Sequence, residues 1–352
     1  MTTFVAESFY KTNYYPLEKL NIITMINRIL IRIKTIQLLY AYRINKEQLS
    51  DNITKDKELS ITAKKAETEL LDSLNQTYEL YHWILQLIVE LHAYAIKRIE
   101  IGLNKLRPTE EERNPNKRFI NNLFAKQLSE NKALATFVKE NGISWSEETD
   151  LIKLLMNKIT ATDFYQAYMK ETNRTYEDDK LLWRHIVRKV LVSSSMLEER
   201  LEEMNLYWND DFETVMSFVE KTIKRFEESN GSDQPLLEKF RDSEDIDYAK
   251  KLLKNAISNQ EEYESLIQKT AQNWESERIA NMDMVIMQAA LAEIKAFPTI
   301  PINVTLNEYI EISKYYSTEK SSNFINGILD KIVNDLRQEG KLIKAGVYIK
   351  EN

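Results

Sequence analysis

His82, His92 and His185 are the only imidazoles in this chain of 352 residues, and each falls among apolar neighbours in a helical pattern. No two stand at a spacing that would hold a metal ion, so neither ligation nor general-base work finds a second partner. Ser193, Ser194 and Ser195 lack an adjacent base and the glycine elbow that exposes a nucleophile. No glycine-rich phosphate-cradling loop is present. Glu308 and Glu311 could be read as an acid and base pair, but on a surface helix such carboxylates are solvated charges. The expectation is therefore a binding protein, not an enzyme, with no cofactor and no metal. The side chains left for binding are basic. Arg28, Arg32 and Arg43 line up at about 100° per residue beside a buried stripe of Ile29, Ile33, Ile36 and Tyr40. A flanking basic stripe can hold phosphates, and it can equally be a solvated helix edge.

The elements that carry these residues follow from composition. With 43% hydrophobic residues and only 6 Gly and 6 Pro, the chain can bury an ample core and is expected to be all-α. The absence of cysteine excludes disulfides, Cys-ligated zinc and iron–sulfur clusters, and suits a reducing cytoplasm. No uncharged apolar run reaches the ~18 residues of a membrane span, since the best, Trp83 to Ile96, contains Gln86, Glu90 and His92. A net charge of -7 argues against a uniformly basic nucleic-acid binder, so any RNA site must be a local patch.

Along the chain, residues 1–24 read as a polar extension, with Met25 as a candidate natural start. A first helix follows, then a charged loop over 45–58 and a long amphipathic helix over 60–104. Further helices are expected near 117–140, 147–170 and 177–205. Their aromatics, including Phe137, Phe164, Tyr165, Tyr168 and Trp183, recur at helical spacing and read as core. The polar run 227–235 reads as a linker ending in Pro235. These breaks give an extension at 1–24, an enlarged N-terminal bundle at 25–230, a C-terminal helical domain at 231–340 and a tail at 341–352. In the C-terminal part Pro298 and Pro301 stop one helix. Thr305 and Glu308 then suggest a capping box, with Val304 stapled to Tyr309. A last helix places Phe324, Ile328, Ile332 and Leu336 on one stripe, with Asn323, Asn326, Asp330 and Asn334 opposite.

Two strings in this region are specific. Leu306-Asn307-Glu308-Tyr309-Ile310-Glu311-Ile312-Ser313-Lys314 and, after a short loop, Asn323-Phe324-Ile325-Asn326-Gly327-Ile328-Leu329-Asp330-Lys331 resemble the NEAVELAK and KFVNGVLDK motifs of the NusB transcription antitermination family. Trp274, Arg278, Asp283 and Glu293 fall where that family has its W, R, acidic and E positions on one helix, and Gln37-Leu38-Leu39-Tyr40 is similar to the end of its first helix. The resemblance covers about residues 245–340 and that first helix, and leaves a large helical insertion in the N-terminal half outside it.

The resemblance implies a NusB-like all-α helical bundle that binds boxA-type RNA of ribosomal RNA leaders jointly with the ribosomal protein NusE. It further implies that the complex joins the RNA polymerase antitermination machinery in the cytoplasm. Carried onto this sequence, Arg28, Arg32, Lys320, Asn323 and Phe324 take the RNA side, and Tyr40 and Asp283 the NusE side. The arginines and Lys320 would meet phosphates, Asn323 a base or sugar, and Phe324 would stack on a base. In the first helix Ile29, Leu30 and Ile31 interrupt what is a denser arginine cluster in the family. An alternative is a non-catalytic protein scaffold with weakened RNA binding, and a homodimer through the NusE face is a further option. RNA methyltransferases that share this fold carry Cys-containing motifs that this chain lacks.

Overall fold

The computed structural model describes residues 24–49, 55–272, 279–318 and 320–342. Among them every regular element is helical, apart from an isolated parallel bridge between Thr24 and Glu238. The all-α expectation holds, and no helix among the described residues is long and apolar enough to cross a membrane. As far as it is described, the chain forms two compact units, one from residues 26–74 and 240–342 and one from residues 24–25 and 75–239. Helix α1 (Arg28–Leu49) belongs to the first, and α2 (Lys55–Leu103) contributes residues to both.

In the second unit the later part of α2 is joined by α3 (Glu110–Arg113), α4 (Leu123–Ser129), α5 (Lys132–Asn141), α6 (Thr149–Thr160) and α7 (Asp163–Lys170). Then come α8 (Tyr176–Ile186), a π turn at Val187–Leu191, α9 (Ser195–Met204) and α10 (Phe212–Arg225). Each of the three long helices expected from the sequence is broken in two, and in the first two side-chain caps make the break. Asn131 Oδ1 accepts from the N–H of Leu134 at 2.9 Å, and Thr162 Oγ1 from that of Tyr165 at 3.3 Å. Each supplies an acceptor to a fresh helix start. Trp183, Tyr165 and Tyr168 are buried as expected, whereas Phe137 is half-buried and stacks on the His82 ring at 3.6 Å.

The run 227–235 is not a free linker. Gln127 Nε2 donates to the carbonyls of Glu227 and Gly231 at 3.0 and 2.9 Å, and Asn131 Nδ2 donates to that of Gln234 at 2.7 Å. Its polar composition reflects backbone carbonyls answered by buried amides, and the boundary between units falls instead between Lys239 and Phe240.

The first unit continues with α11 (Ser243–Ser258), α12 (Gln260–Ala271), α13 (Asn281–Ala296), α14 (Ile302–Tyr316) and α15 (Ser321–Gln338). Helix α13 packs against α1, α11, α12, α14 and α15. Its stretch from Met284 to Ile294 is apolar nearly all round, as a helix enclosed by others must be. The first helix therefore groups with the C-terminal elements and not with the inserted bundle, because α13 offers the apolar surface that its Ile stripe needs. Helix α14 begins right after Pro301, which places Thr305 inside its first turns and removes the expected capping box. Val304 is 44% exposed, so the staple to Tyr309 is absent too. In α15 the stripe Ile325, Ile328, Leu329, Ile332, Val333 and Leu336 is buried and the asparagine side is exposed. Trp274 and Arg278 lie outside the described residues.

Candidate functional site

One buried carboxylate ties together the helices that carry the candidate residues. Glu293 is 0% exposed inside apolar α13, where an unpaired charge would cost several kcal/mol. Arg32 of α1 answers it as a bidentate fork, Nε donating to Oε2 at 2.8 Å and Nη2 to Oε1 at 2.9 Å. Three hydroxyls complete the shell: Thr305 donates to Oε1 at 2.8 Å, Tyr309 to Oε2 at 3.3 Å, and Tyr248 also to Oε2. The rings of Tyr248 and Tyr309 each lie 5.9 Å from the guanidinium carbon, and Glu308 Oε2 lies 3.5 Å from Nη1. Four helices, α1, α11, α13 and α14, are thereby fixed to one point.

The electrostatics agree with this geometry. Burial by itself would lower the Arg32 guanidinium and raise the Glu293 carboxyl. The hydrogen bonds and mutual charge outweigh burial, so Arg32 is raised and Glu293 lowered from their ordinary values. Burial, and then the charge of Glu293, pushes the phenols of Tyr248 and Tyr309 well up. Both therefore stay protonated and remain donors.

Arg32 is 3% exposed, and its guanidinium turns inward onto Glu293 and not to the surface where the resemblance places RNA. With its fork closed on Glu293 and almost no surface of its own, this guanidinium is not offered to a phosphate. Arg28, one turn earlier, is the side chain that reaches the surface. It is 39% exposed, 3.8 Å from Asp245 Oδ1, and lies 5.0 Å from the centre of the Tyr248 ring. Arg43 donates from Nε to Asn281 at 3.0 Å and from Nη1 to Glu264 at 2.5 Å. Since Arg32 meets the end of α13 and Arg43 its start, α1 and α13 run antiparallel.

The start of α13 organises the other candidates. Asp283 is 6% exposed and accepts from Ser317 Oγ, which lies 2.9 Å from Ser321 Oγ. The Ser321 N–H donates to the Thr318 carbonyl at 2.9 Å. Asp283 thus holds the α14–α15 loop from inside. The loop presents Lys320 and Asn323 as exposed side chains, with Phe324 half-exposed. Helix α15 has no acidic residue in its first turn, so its positive end and Lys320 point the same way for an anion. Tyr40, half-buried one turn before Arg43, stands at this same end of the unit. The structure therefore groups Tyr40, Asp283, Lys320, Asn323 and Phe324, and sets Arg28 at the other end. From Asp283 to Glu293 along α13 is about 15 Å at helical rise.

Sequence reasoning passed over Tyr248 and Ser317, read Thr305 as a helix cap, and gave Glu293 no function. Two signals were present: a lone arginine in Ile-Leu-Ile-Arg-Ile and a lone carboxylate in Ala-Leu-Ala-Glu-Ile. Each is a charge that must be paired once its helix is buried. Among the described residues no group of three or more His, Cys, Asp or Glu could hold a metal ion.

Comparison with known proteins adds a second line. The model of the NusB family matches residues 212–334, which takes in α10 through most of α15. The transcription antitermination protein NusB of Salinibacter ruber is 35% identical over 134 residues, covering 36% of this chain and 84% of that one. Its counterpart from Chloroherpeton thalassium is 42% identical over 100 residues, covering 28% of this chain and 47% of its own. One from Listeria monocytogenes serotype 4b is 39% identical over 100 residues, covering 28% and 77%. No solved structure matches the chain. The matched region holds Asp283, Glu293, Glu308, Lys320, Asn323 and Phe324, whereas Arg28, Arg32 and Tyr40 precede it.

Proposed function

Since this chain belongs to the NusB family, we propose that it is a transcription antitermination factor, a non-catalytic adaptor that binds boxA-type leader RNA together with the ribosomal protein NusE. The observation that carries the reading is the loop fixed by Asp283. It presents Lys320, Asn323 and Phe324 at the start of a helix whose first turn has no acidic residue. Lys320 and Arg28 contact phosphates, Asn323 a base edge or sugar, and Phe324 a base face. Tyr40 meets NusE. Arg32 and Asp283 act through the elements they hold. The protein works in the cytoplasm within the RNA polymerase antitermination complex.

The test is binding of a boxA RNA and of a scrambled RNA, each with and without NusE. NusE is expected to tighten binding to boxA alone, and Arg28→Ala with Lys320→Ala to weaken it by roughly tenfold, from two phosphate contacts. Equal affinity for both RNAs with NusE present would sink the adaptor reading. A protein scaffold with weakened RNA binding is favoured by one observation: Arg28, Arg32 and Arg43 each have a carboxylate partner, in Asp245, Glu293 and Glu264. That reading, and self-association through the Tyr40 face, predict RNA binding with a flat salt dependence.

A further inference from the structure

The match to the family model begins at residue 212, so most of the second unit lies outside it. Within that unit Arg184, His185, Arg188 and Lys189 fall within one stretch of six residues at the end of α8 and in the π turn. Arg184 Nε and Nη2 reach Glu220 Oε1 at 3.1 and 2.8 Å, and Arg188 Nε reaches Oε2 at 2.5 Å. Two guanidinium groups thus lean on one buried carboxylate, which fixes their orientation. Lys189, exposed, adds a third cation 5.7 Å from the centre of the Phe164 ring, and His185 meets the same half-buried ring edge-on at 5.5 Å.

The π turn gives the face its layout. The N–H of Val192 donates to the carbonyl of Val187 at 3.0 Å, one residue further back than in an α-helix. The widened turn brings residues four apart closer to one row, so Arg184 with Arg188 and His185 with Lys189 form two short parallel rows. Such turns recur at functional sites. The local field is positive enough that Lys189, Arg184 and Arg188, after burial, hold the His185 imidazole below its ordinary value.

We propose that the face formed by Arg184, His185, Arg188 and Lys189 binds the phosphate backbone of single-stranded RNA without regard to sequence, taking RNA that flanks the segment bound by the first unit. Oriented guanidinium groups suit phosphate oxygens, and an aromatic ring beside them suits an unpaired base. The ring favours RNA over an acidic polypeptide, which has no base to stack. The inference rests on the RNA-binding reading of the first unit.

The experiment titrates the full chain, with NusE, into a boxA RNA and into the same RNA extended by unstructured single-stranded flanks. The flanks are expected to tighten wild-type binding by about tenfold. Lys189→Glu should abolish most of that gain, leave the short RNA unchanged, and lower the salt slope on the flanked RNA by about 0.7 or more. Lys139→Glu on α5 makes the same charge change and should keep the gain. Arg188→Gln removes a cation without reversing it and gives a second reading should Lys189→Glu fail to fold by circular dichroism. An identical flank gain in wild type, Lys189→Glu and Arg188→Gln overturns the proposal. Loss of polyglutamate binding in Lys189→Glu with no flank effect overturns it in favour of an acidic protein partner. A flank gain that depends on Lys189 while boxA is not preferred over scrambled RNA supports this face and rejects the adaptor reading of the first unit.

Discussion

Glu293 receives hydrogen bonds from Arg32, Tyr248, Thr305 and Tyr309, so losing any donor leaves part of a buried charge unanswered. Arg32→Met is expected to destabilise the first unit by about 3–5 kcal/mol, and Arg32→Met with Glu293→Leu by clearly less than the sum of the single changes. Urea unfolding of the three variants measures this. The lowered Glu293 carboxyl also fixes a pH dependence. Its contribution is fully present above the pKa of an unfolded glutamate and is lost as pH falls through the lower folded value. His82 acts in a different window. Burial holds it down at about 4, against an ordinary 6.5. The unfolded chain therefore takes up a proton first, and stability falls by roughly 3 kcal/mol as pH drops from 6.5 towards 4. Comparing wild type with His82→Phe at several pH values isolates this loss, and equal acid slopes would contradict it. At this scale the sequence was legible where a charge stood alone among apolar residues. It misled where a helical wheel set Arg32 beside the stripe, because a wheel shows the side of a helix and not which neighbour covers it.

Among the elements, the α14–α15 loop owes its shape to a hydroxyl and a carboxylate from separate helices. Ser317→Ala is expected to cost about 1–3 kcal/mol, the worth of a hydrogen bond to a charged group. It should also weaken boxA binding severalfold, although Ser317 is not among the residues assigned to RNA. Conversely, unchanged RNA affinity in this variant would show that the loop keeps its form without Asp283. The helices were legible from their periods, and the stripe of α15 emerged nearly as read. Their breaks were less so, because Asn131 and Thr162 look like ordinary polar positions until a new helix starts after them. The supposed capping box failed for a related reason. Thr305 lies inside α14, where its hydroxyl donates to the buried Glu293 carboxylate instead of accepting from the Glu308 N–H.

For the molecule as a whole, the sequence showed the all-α class and the motifs near the C-terminus, but not how the chain is divided. Helix α1 belongs with α11 and α13, and no local pattern announces a partner so far along the chain. The polar run at 227–235 looked like a boundary because its polarity is the same whether carbonyls face water or the amides of Gln127 and Asn131. The pair Arg32–Glu293 joins residues 261 positions apart, and that distance is also a time. At about 5–20 residues per second, a ribosome that has made Arg32 needs roughly 10–50 s to reach its carboxylate. Residues 75–239, the bulk of the second unit, are all synthesised within that interval. The order of folding thus runs from the middle of the sequence outwards, and α1 waits with an apolar face and an unmatched cation until α13 emerges. Arrested nascent chains ending before residue 281 should accordingly be cut by protease within α1, whereas chains carrying α13 to α15 clear of the ribosome should be protected there.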